Sequence, residues 1–337
     1  MAGLRSLSGG TAIPPYTHGP YGWDQHVTFF AGVTGANTNG LCIYVDGTNG
    51  DDSNDGKSWT NAMATIQAGV TAAGADGIVY VIPKTITDYT GDPTSYAETV
   101  IIPATHTGLS LIGISRGRTQ GGLPQIKKGS GSTALLTIRA AGCLISNMGF
   151  NGYGSTGGGI LLDDDYAAKT AFGTTIVGCH FKNCVGSTAT NAATGGAIMW
   201  SAEGNAWQVY IGGNRFYKNV GDIVLLGTSN TVPQDVVIED NVFSGPAGSV
   251  DCNLYLKGGS GMNGVIIRNN EFTCWPAIGS GTNVMPISAT GCVGQVTGNR
   301  FACTGKTFGA AANSLIPTTL FLTDNYQEDG ATQIART

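Results

Sequence analysis

The chain predicts an all-β fold, a parallel β-helix solenoid with an N-terminal capping helix and an extended N-terminal arm. Three observations predict it. A short motif recurs: "ISNMGF" ends at Phe150, "IVGCHF" at Phe181, "IGGNRF" at Phe216, "IEDNVF" at Phe243, "IRNNEF" at Phe272 and "VTGNRF" at Phe301, and "LTDNY" closes the series at Tyr326. The successive spacings are 31, 35, 27, 29, 29 and 25 residues, the size of one unit in a repeat array. The segments are short, β-branched and bounded by Gly and Asn, which disfavours helical repeats. About three short strands fit in each unit.

If each turn stacks on the last at the inter-strand spacing of about 4.8 Å, like residues fall on like residues. The aliphatic residue before the Asn and the Phe after it then point inward as continuous apolar and aromatic columns. Asn214, Asn241, Asn270, Asn299 and Asn325 form a third column, placed at a bend where Asn tolerates left-handed backbone, with side-chain amides bonding from turn to turn. Asn147 is one residue out of that register, and the Phe181 turn offers Cys179 and His180 instead, so the early turns are less regular. His180 shares a column with Arg215 and Glu271 and is expected to face outward.

The same register pairs Glu239 with Arg268 and Glu271 with Arg300 on adjacent turns, at roughly 0.2–1 kcal/mol per pair. Cys274 and Cys303 fall on adjacent turns, close enough for a disulfide, although a thiol stack suits a reducing compartment better. A second strand follows most Phe positions, as in "GGGILLDDD", "GGAIMWSA" and "GDIVLLG", usually after a small or Gly-rich loop. Insertions such as "GSTATNAATGG" should project from the corners.

Composition agrees. Of 337 residues 53 are Gly, without a collagen period, and only 12% are charged. The net charge of −5 gives no electrostatic case for nucleic acid or an anionic membrane. No unbroken apolar stretch is long enough for membrane insertion, and the first residues lack a signal-peptide core, so synthesis and folding in a cytoplasm are expected. The eight cysteines show no CxxC spacing and are expected to be buried thiols.

Three regions follow: an arm over 1–40, a cap with the first turns over 41–130, and regular turns over 131–337. The arm combines Pro and Gly with Tyr16, Tyr21, Trp23, Phe29 and Phe30, and is read as a contact segment for its own solenoid or a neighbouring subunit. In the second region a helix is expected from about Asn61 to Ala73, with Met63, Ile66, Ala68 and Val70 apolar, covering the open end of the coil.

The order of a strand, "ATIQAGVTAA", "IVYVIP", Y-x-E-x-V, "LSLIG" and "LTIRAAGCLISNMGF" resembles the opening of pectin-lyase-like right-handed β-helix proteins, pectin methylesterases included. "YVDGTNGDDSNDGKSWTNAMATIQ" is similar to a segment of many bacterial and bacteriophage β-helix proteins. The resemblance covers roughly 41–326 and implies fold more than activity, since this architecture hosts lyases, hydrolases, esterases and inert virion parts. No catalytic signature of those families is intact. The turn that aligns with the esterase motif reads "NVGDIVLLG".

Three places bear on chemistry. Asp163, Asp164 and Asp165 end a strand, with Trp200 and Glu203 near the equivalent point of the next turn; acids beside an aromatic suit a sugar. Asp51, Ser53 and Asp55 alternate like a Ca²⁺ loop, but Ala62 stands where an EF-hand needs Glu. The histidines His18, His26, His106 and His180 are scattered. No cofactor other than a possible Ca²⁺ is implied.

The expected role is a structural bacteriophage virion protein, a capsid decoration or tail-associated β-helix. It would act by assembly rather than catalysis, as a homotrimer with capsid or tail proteins as partners. The alternative is a tailspike that binds or depolymerises a host polysaccharide, or an extracellular protein of that kind.

Overall fold

The computed structural model describes residues 41–84, 94–114, 122–165, 169–188, 191–202, 206–226, 232–244, 253–273, 287–302 and 318–327. They form a right-handed parallel β-helix. Its three sheets run along the coil: sheet A with ten strands from Cys42–Val45 to Leu320–Thr323, sheet B with eight from Gln125–Ile126 to Tyr326–Gln327, and sheet C with seven from Val100–Ile102 to Ile287–Ser288. Strand pairing is parallel throughout, and one circuit passes from A to B to C.

Alternation within each three-residue strand sends its middle residue inward in sheets A and B. Sheet A stacks Ile43, Val79, Leu111, Ile145, Ile176, Ile211, Ile238, Ile267, Val296 and Leu322 in one file. Sheet B stacks Phe150, Phe181, Phe216, Phe243, Phe272 and Phe301, with ring centroids 4.7–5.0 Å apart and planes within 19° of each other. Both files belong to one continuous core.

The aromatic file ends at Phe301. Its partner in the last rung is Gln327, while Tyr326 pairs with Arg300 and is exposed, so the expected alignment of Tyr326 with the phenylalanines is wrong by one position. The Asn register holds there, and the residue two places after Asn325 is simply not aromatic.

The expected Asn ladder is present and buried from Asn214 to Asn325. The Oδ1 of Asn241 accepts the backbone N–H of Asn214 at 2.9 Å and its Nδ2–H at 3.1 Å. Asn241 in turn donates both N–H and Nδ2–H to the Oδ1 of Asn270 at 3.0 Å, and Nδ2–H to the Ile211 carbonyl at 3.0 Å. The pattern repeats through Asn299 to Asn325. At the upper end Cys179 takes the position, and its N–H goes to the Oδ1 of Asn214.

The left-handed residue at this bend is not the ladder Asn but the one before it: Gly178, Gly213, Asp240, Asn269, Gly298 and Asp324 all have φ between 52° and 66°. Asn147, with φ 55°, belongs to that file, which explains why it looked out of register. Before the sheet C strands, the glycines have a steric cause: a Cβ on Gly196 would collide with the carbonyl of Gly221.

At the cap, α1 spans Ile66–Ala73, and a short 3₁₀ turn, Trp59–Asn61, precedes it. The helix starts later than expected because Met63 makes a parallel bridge with Val45, and Thr65 then caps the helix by accepting the Ala68 N–H. Glu98 accepts the Ile66 and Gln67 N–H groups at 2.8 and 2.9 Å, so an acid from the edge of sheet C satisfies the free helix donors. Ile66, Val70 and Ala73 face the core.

Four thiols, Cys143, Cys179, Cys184 and Cys292, are buried and free, and Cys42 is half-buried. Cys274 and Cys303 lie outside the described residues. Part of the insertion after Cys184 folds back instead of projecting: Ala192, in a 3₁₀ turn over Ala192–Thr194, packs on Val220.

Asn241→Ala is expected to lower folding stability by about 2–4 kcal/mol, because it leaves two buried donors of Asn214 without their acceptor. Glu271→Ala, on the exposed outside of sheet B, should stay within about 0.5 kcal/mol. Urea denaturation midpoints of the two variants check both.

Candidate functional site

The corner leading from sheet C to sheet A carries the acidic cluster. Asp163 and Asp164 are buried, directly after the strand Ile160–Leu162. The Nε–H of Arg139, one rung earlier, donates to Asp163 Oδ2 at 2.8 Å. Lys169 Nζ lies 3.2 Å from the same oxygen and 3.4 Å from Asp165 Oδ2. The Thr170 N–H goes to the Arg139 carbonyl at 3.0 Å, which ties the two rungs together beside the charges. The side chain of Ser201, one rung later, donates to the Asp164 carbonyl at 3.3 Å. The cluster therefore bridges three rungs, and two cations accompany its acids.

Trp200 is not on this surface. It is fully buried in the file of Ile138, Leu162 and Leu225, and its Nε1–H donates to the Ala206 carbonyl at 3.0 Å. As a surface for stacking a sugar it is corrected: the third residue of a sheet C strand faces inward. Glu203 lies outside the described residues. Among the described residues, the exposed aromatics at this corner are Phe172 and Trp207, in successive rungs, 46% and 42% exposed. They stand just ahead of Gly173 and Gln208, the left-handed residues of that bend. In the sequence only the Phe172–Gly173 pair hints at such a bend; Trp207 precedes Gln208, a residue type that carries no such signal.

The loop after the first strand is organised by its own turns. Asp51 Oδ1 accepts the Ser53 N–H at 2.8 Å and its hydroxyl at 2.7 Å, which holds the Asp51 carboxyl below the usual range. Asp55 accepts the Lys57 N–H at 3.1 Å, and Asp52 accepts from Ala64 and Thr65. The structure thus joins Asp51 to Ser53 and turns Asp55 elsewhere. Among the described residues no group of three or more His, Cys, Asp or Glu side chains is placed to hold a metal ion.

On the outside of sheet A, Glu239 pairs with Arg268 and accepts the Tyr210 hydroxyl at 2.6 Å. Partial burial alone would raise its pKa, but the Arg268 and Tyr210 hydrogen bonds outweigh that and hold it low. This is the register pair expected from the repeat. Glu271 and Arg300 are also in register, but both stay exposed and no ion pair closes between them.

His180 departs from expectation. It occupies the outward position beside Arg215 but is only 8% exposed, and burial with the nearby Arg215 charge pushes it down to about 4. Lys182, on the same face, is also buried. The aromatic residues assigned to partner contact, Tyr16, Tyr21, Trp23, Phe29 and Phe30, lie outside the described residues.

The turn "NVGDIVLLG" places its acid inside the coil. Asp222 is buried at the corner between sheets B and C and accepts from Asn219 Nδ2 at 2.8 Å and Asn253 Nδ2 at 2.6 Å. It cannot act as a surface acid.

No family model matches the chain, and no curated protein matches it. Among solved structures it is similar to two crystal structures of a GH136 lacto-N-biosidase from Eubacterium ramulus, the native protein and its selenomethionine derivative. Both are 11% identical with a TM-score of 0.27; the matches cover 85% and 90% of this chain and 67% and 71% of the other. A likeness of that size carries no residue or activity across.

Asp163→Asn should lower stability by about 1–2 kcal/mol, with a smaller loss at high salt, because both cations lie partly in solvent. Thermal unfolding at low and high ionic strength measures this.

Proposed function

We propose that the chain is a structural protein, a stiff β-helical rod that works by assembly rather than catalysis. The observation that supports this best is the pairing of Asp163 with Arg139 and Lys169. Hydrolysis of a glycosidic bond by two carboxyls needs both of them free to reach the sugar. Here Arg139 and Lys169 both engage Asp163, so its carboxyl is committed to contacts with a cation of the rung before and one of its own loop. The cluster works as an electrostatic clasp between rungs. The unbroken Phe and Asn files make the rod resistant to bending without demanding surface charge.

The resemblance of the opening segment to bacteriophage β-helix proteins supports placing this rod on a phage particle, as a capsid decoration or tail-associated protein. Its aromatic arm suits attachment to capsid or tail proteins, or to two further copies in a homotrimer. The second reading is a tailspike that binds or depolymerises host polysaccharide. Phe172 and Trp207 favour it, since adjacent exposed aromatic faces suit sugar rings.

On the structural reading, purified native particles contain the chain in stoichiometric amounts by quantitative mass spectrometry, and light scattering of the isolated protein gives three times the 34.5 kDa chain mass. Incubation with a panel of capsular polysaccharides yields no new reducing ends and no absorbance from unsaturated sugars. Turnover that disappears in Asp164→Asn would overturn the structural reading in favour of the tailspike.

A further inference from the structure

Asp222 differs from every other acid in the described coil. Its side chain is enclosed at the corner between sheets B and C, and it is only 2% exposed as a residue. Groups from three successive rungs face it. From its own rung, Asn219 donates to Oδ1 at 2.8 Å; from the next, Asn253 donates to Oδ2 at 2.6 Å. From the rung before comes the buried thiol of Cys184, whose own N–H is held by Asn219 Oδ1 at 2.9 Å. The insertion packed nearby contributes Ala192 against Val220, both apolar. Among the described residues no Lys, Arg or His acts on Asp222. Asp163, by contrast, lies against two cations.

An unpaired ionised carboxylate costs several kcal/mol to bury, and two neutral amide donors offset only part of that. We propose that Asp222 is a built-in pH sensor of coil stability: the central rungs are held most firmly while its carboxyl is protonated and loosen as it ionises. The neutral acid needs one amide to turn and accept its proton. Asn253 can do so, whereas Asn219 is fixed by the Cys184 N–H.

Burial pushes this carboxyl up to about 7 from its ordinary 3.8, against the opposing pull of Asn253 and Asn219. The neighbouring Cys184 thiol is pushed up to about 12, by burial first and with the Asp222 charge adding to it, so the thiol stays neutral across the relevant range. The folded chain therefore binds one more proton than the unfolded chain between 3.8 and about 7. Stability from this group is fully present below 3.8, falls as pH rises through the window, and is gone above about 7. The difference corresponds to roughly a thousand-fold in the ratio of folded to unfolded chain.

The test is carbon NMR of full-length protein labelled at the aspartate carboxyl carbon, with the Asp222 resonance assigned by through-bond correlation. A midpoint near 7 that rises in Asn253→Ala, which loses a charge-assisted hydrogen bond to the ionised form that is stronger than the one a turned Asn253 makes to the neutral acid, is the expected result. A midpoint at or below 5 overturns the proposal, as does a midpoint that Asn253→Ala leaves unmoved. In parallel, unfolding of wild type and Asp222→Asn is followed from pH 4 to pH 9. Wild type should lose stability relative to the variant as pH rises; a gap independent of pH overturns the proposal. If Asp222→Asn does not fold, the wild-type and Asn253→Ala titrations decide it alone.

Discussion

A coil that repeats every circuit has one hard constraint, and the Asn ladder answers it. Strand residues find backbone partners in the rungs above and below. Residues at a bend are turned off that ladder, and a donor left unpaired there would recur in every rung, at about 1–3 kcal/mol each. The ladder Asn supplies the missing acceptor: its Oδ1 takes the N–H of the Asn one rung earlier, and its Nδ2 reaches the carbonyl of an inward aliphatic residue. Because the link runs between equivalent residues, it also fixes register. Three residues before it lies the aliphatic file, and two after it the Phe file, so one hydrogen-bond geometry aligns both apolar columns. A slip by one residue would break all three.

That coupling explains which features could be read from the chain. The interior repeats because each inward position has the same neighbours in every rung, and Ile, Asn and Phe recur at fixed offsets. Reading failed where a different constraint acts. Tyr326 kept the aromatic character of the motif but sits in the outward file, where no stacking requirement selects residue type. The left-handed position was placed on the Asn, when the residue before it makes the turn; Gly, Asn and Asp share that file, so it shows no single letter. The helix start was placed too early because a bridge to the first strand competes with helix over Met63.

The acids show the same divide more sharply. "LLDDDY" and "NVGDIVLLG" look alike as strand-edge acids in a Gly-rich coil. One lies where the chain leaves sheet C, within reach of a cation from the previous rung and another from its own loop. The other lies where the chain enters sheet C, one residue before the paired Ile223, and the inward turn of that corner carries it among amides and a thiol. Their surroundings diverge because of position around the circuit, which a linear motif does not encode. Trp200 and Trp207 divide in the same way, one completing a strand and the other topping a bend.

Outward files obey weaker rules still. In sheet A a single outward register position passes through Ile78, Ser110, Leu144, Thr175, Tyr210, Val237, Ile266, Gln295 and Phe321. Ile78, next to Cys42 at the start of that line, is fully buried, and Phe321 at the other end is 68% exposed. Nothing in the coil demands one residue type along that line, so its content is set rung by rung by whatever meets it. A parallel β-helix thus separates two kinds of information. Its interior specifies how the chain winds and its exterior specifies what the rod touches, and only the first is written as a repeat.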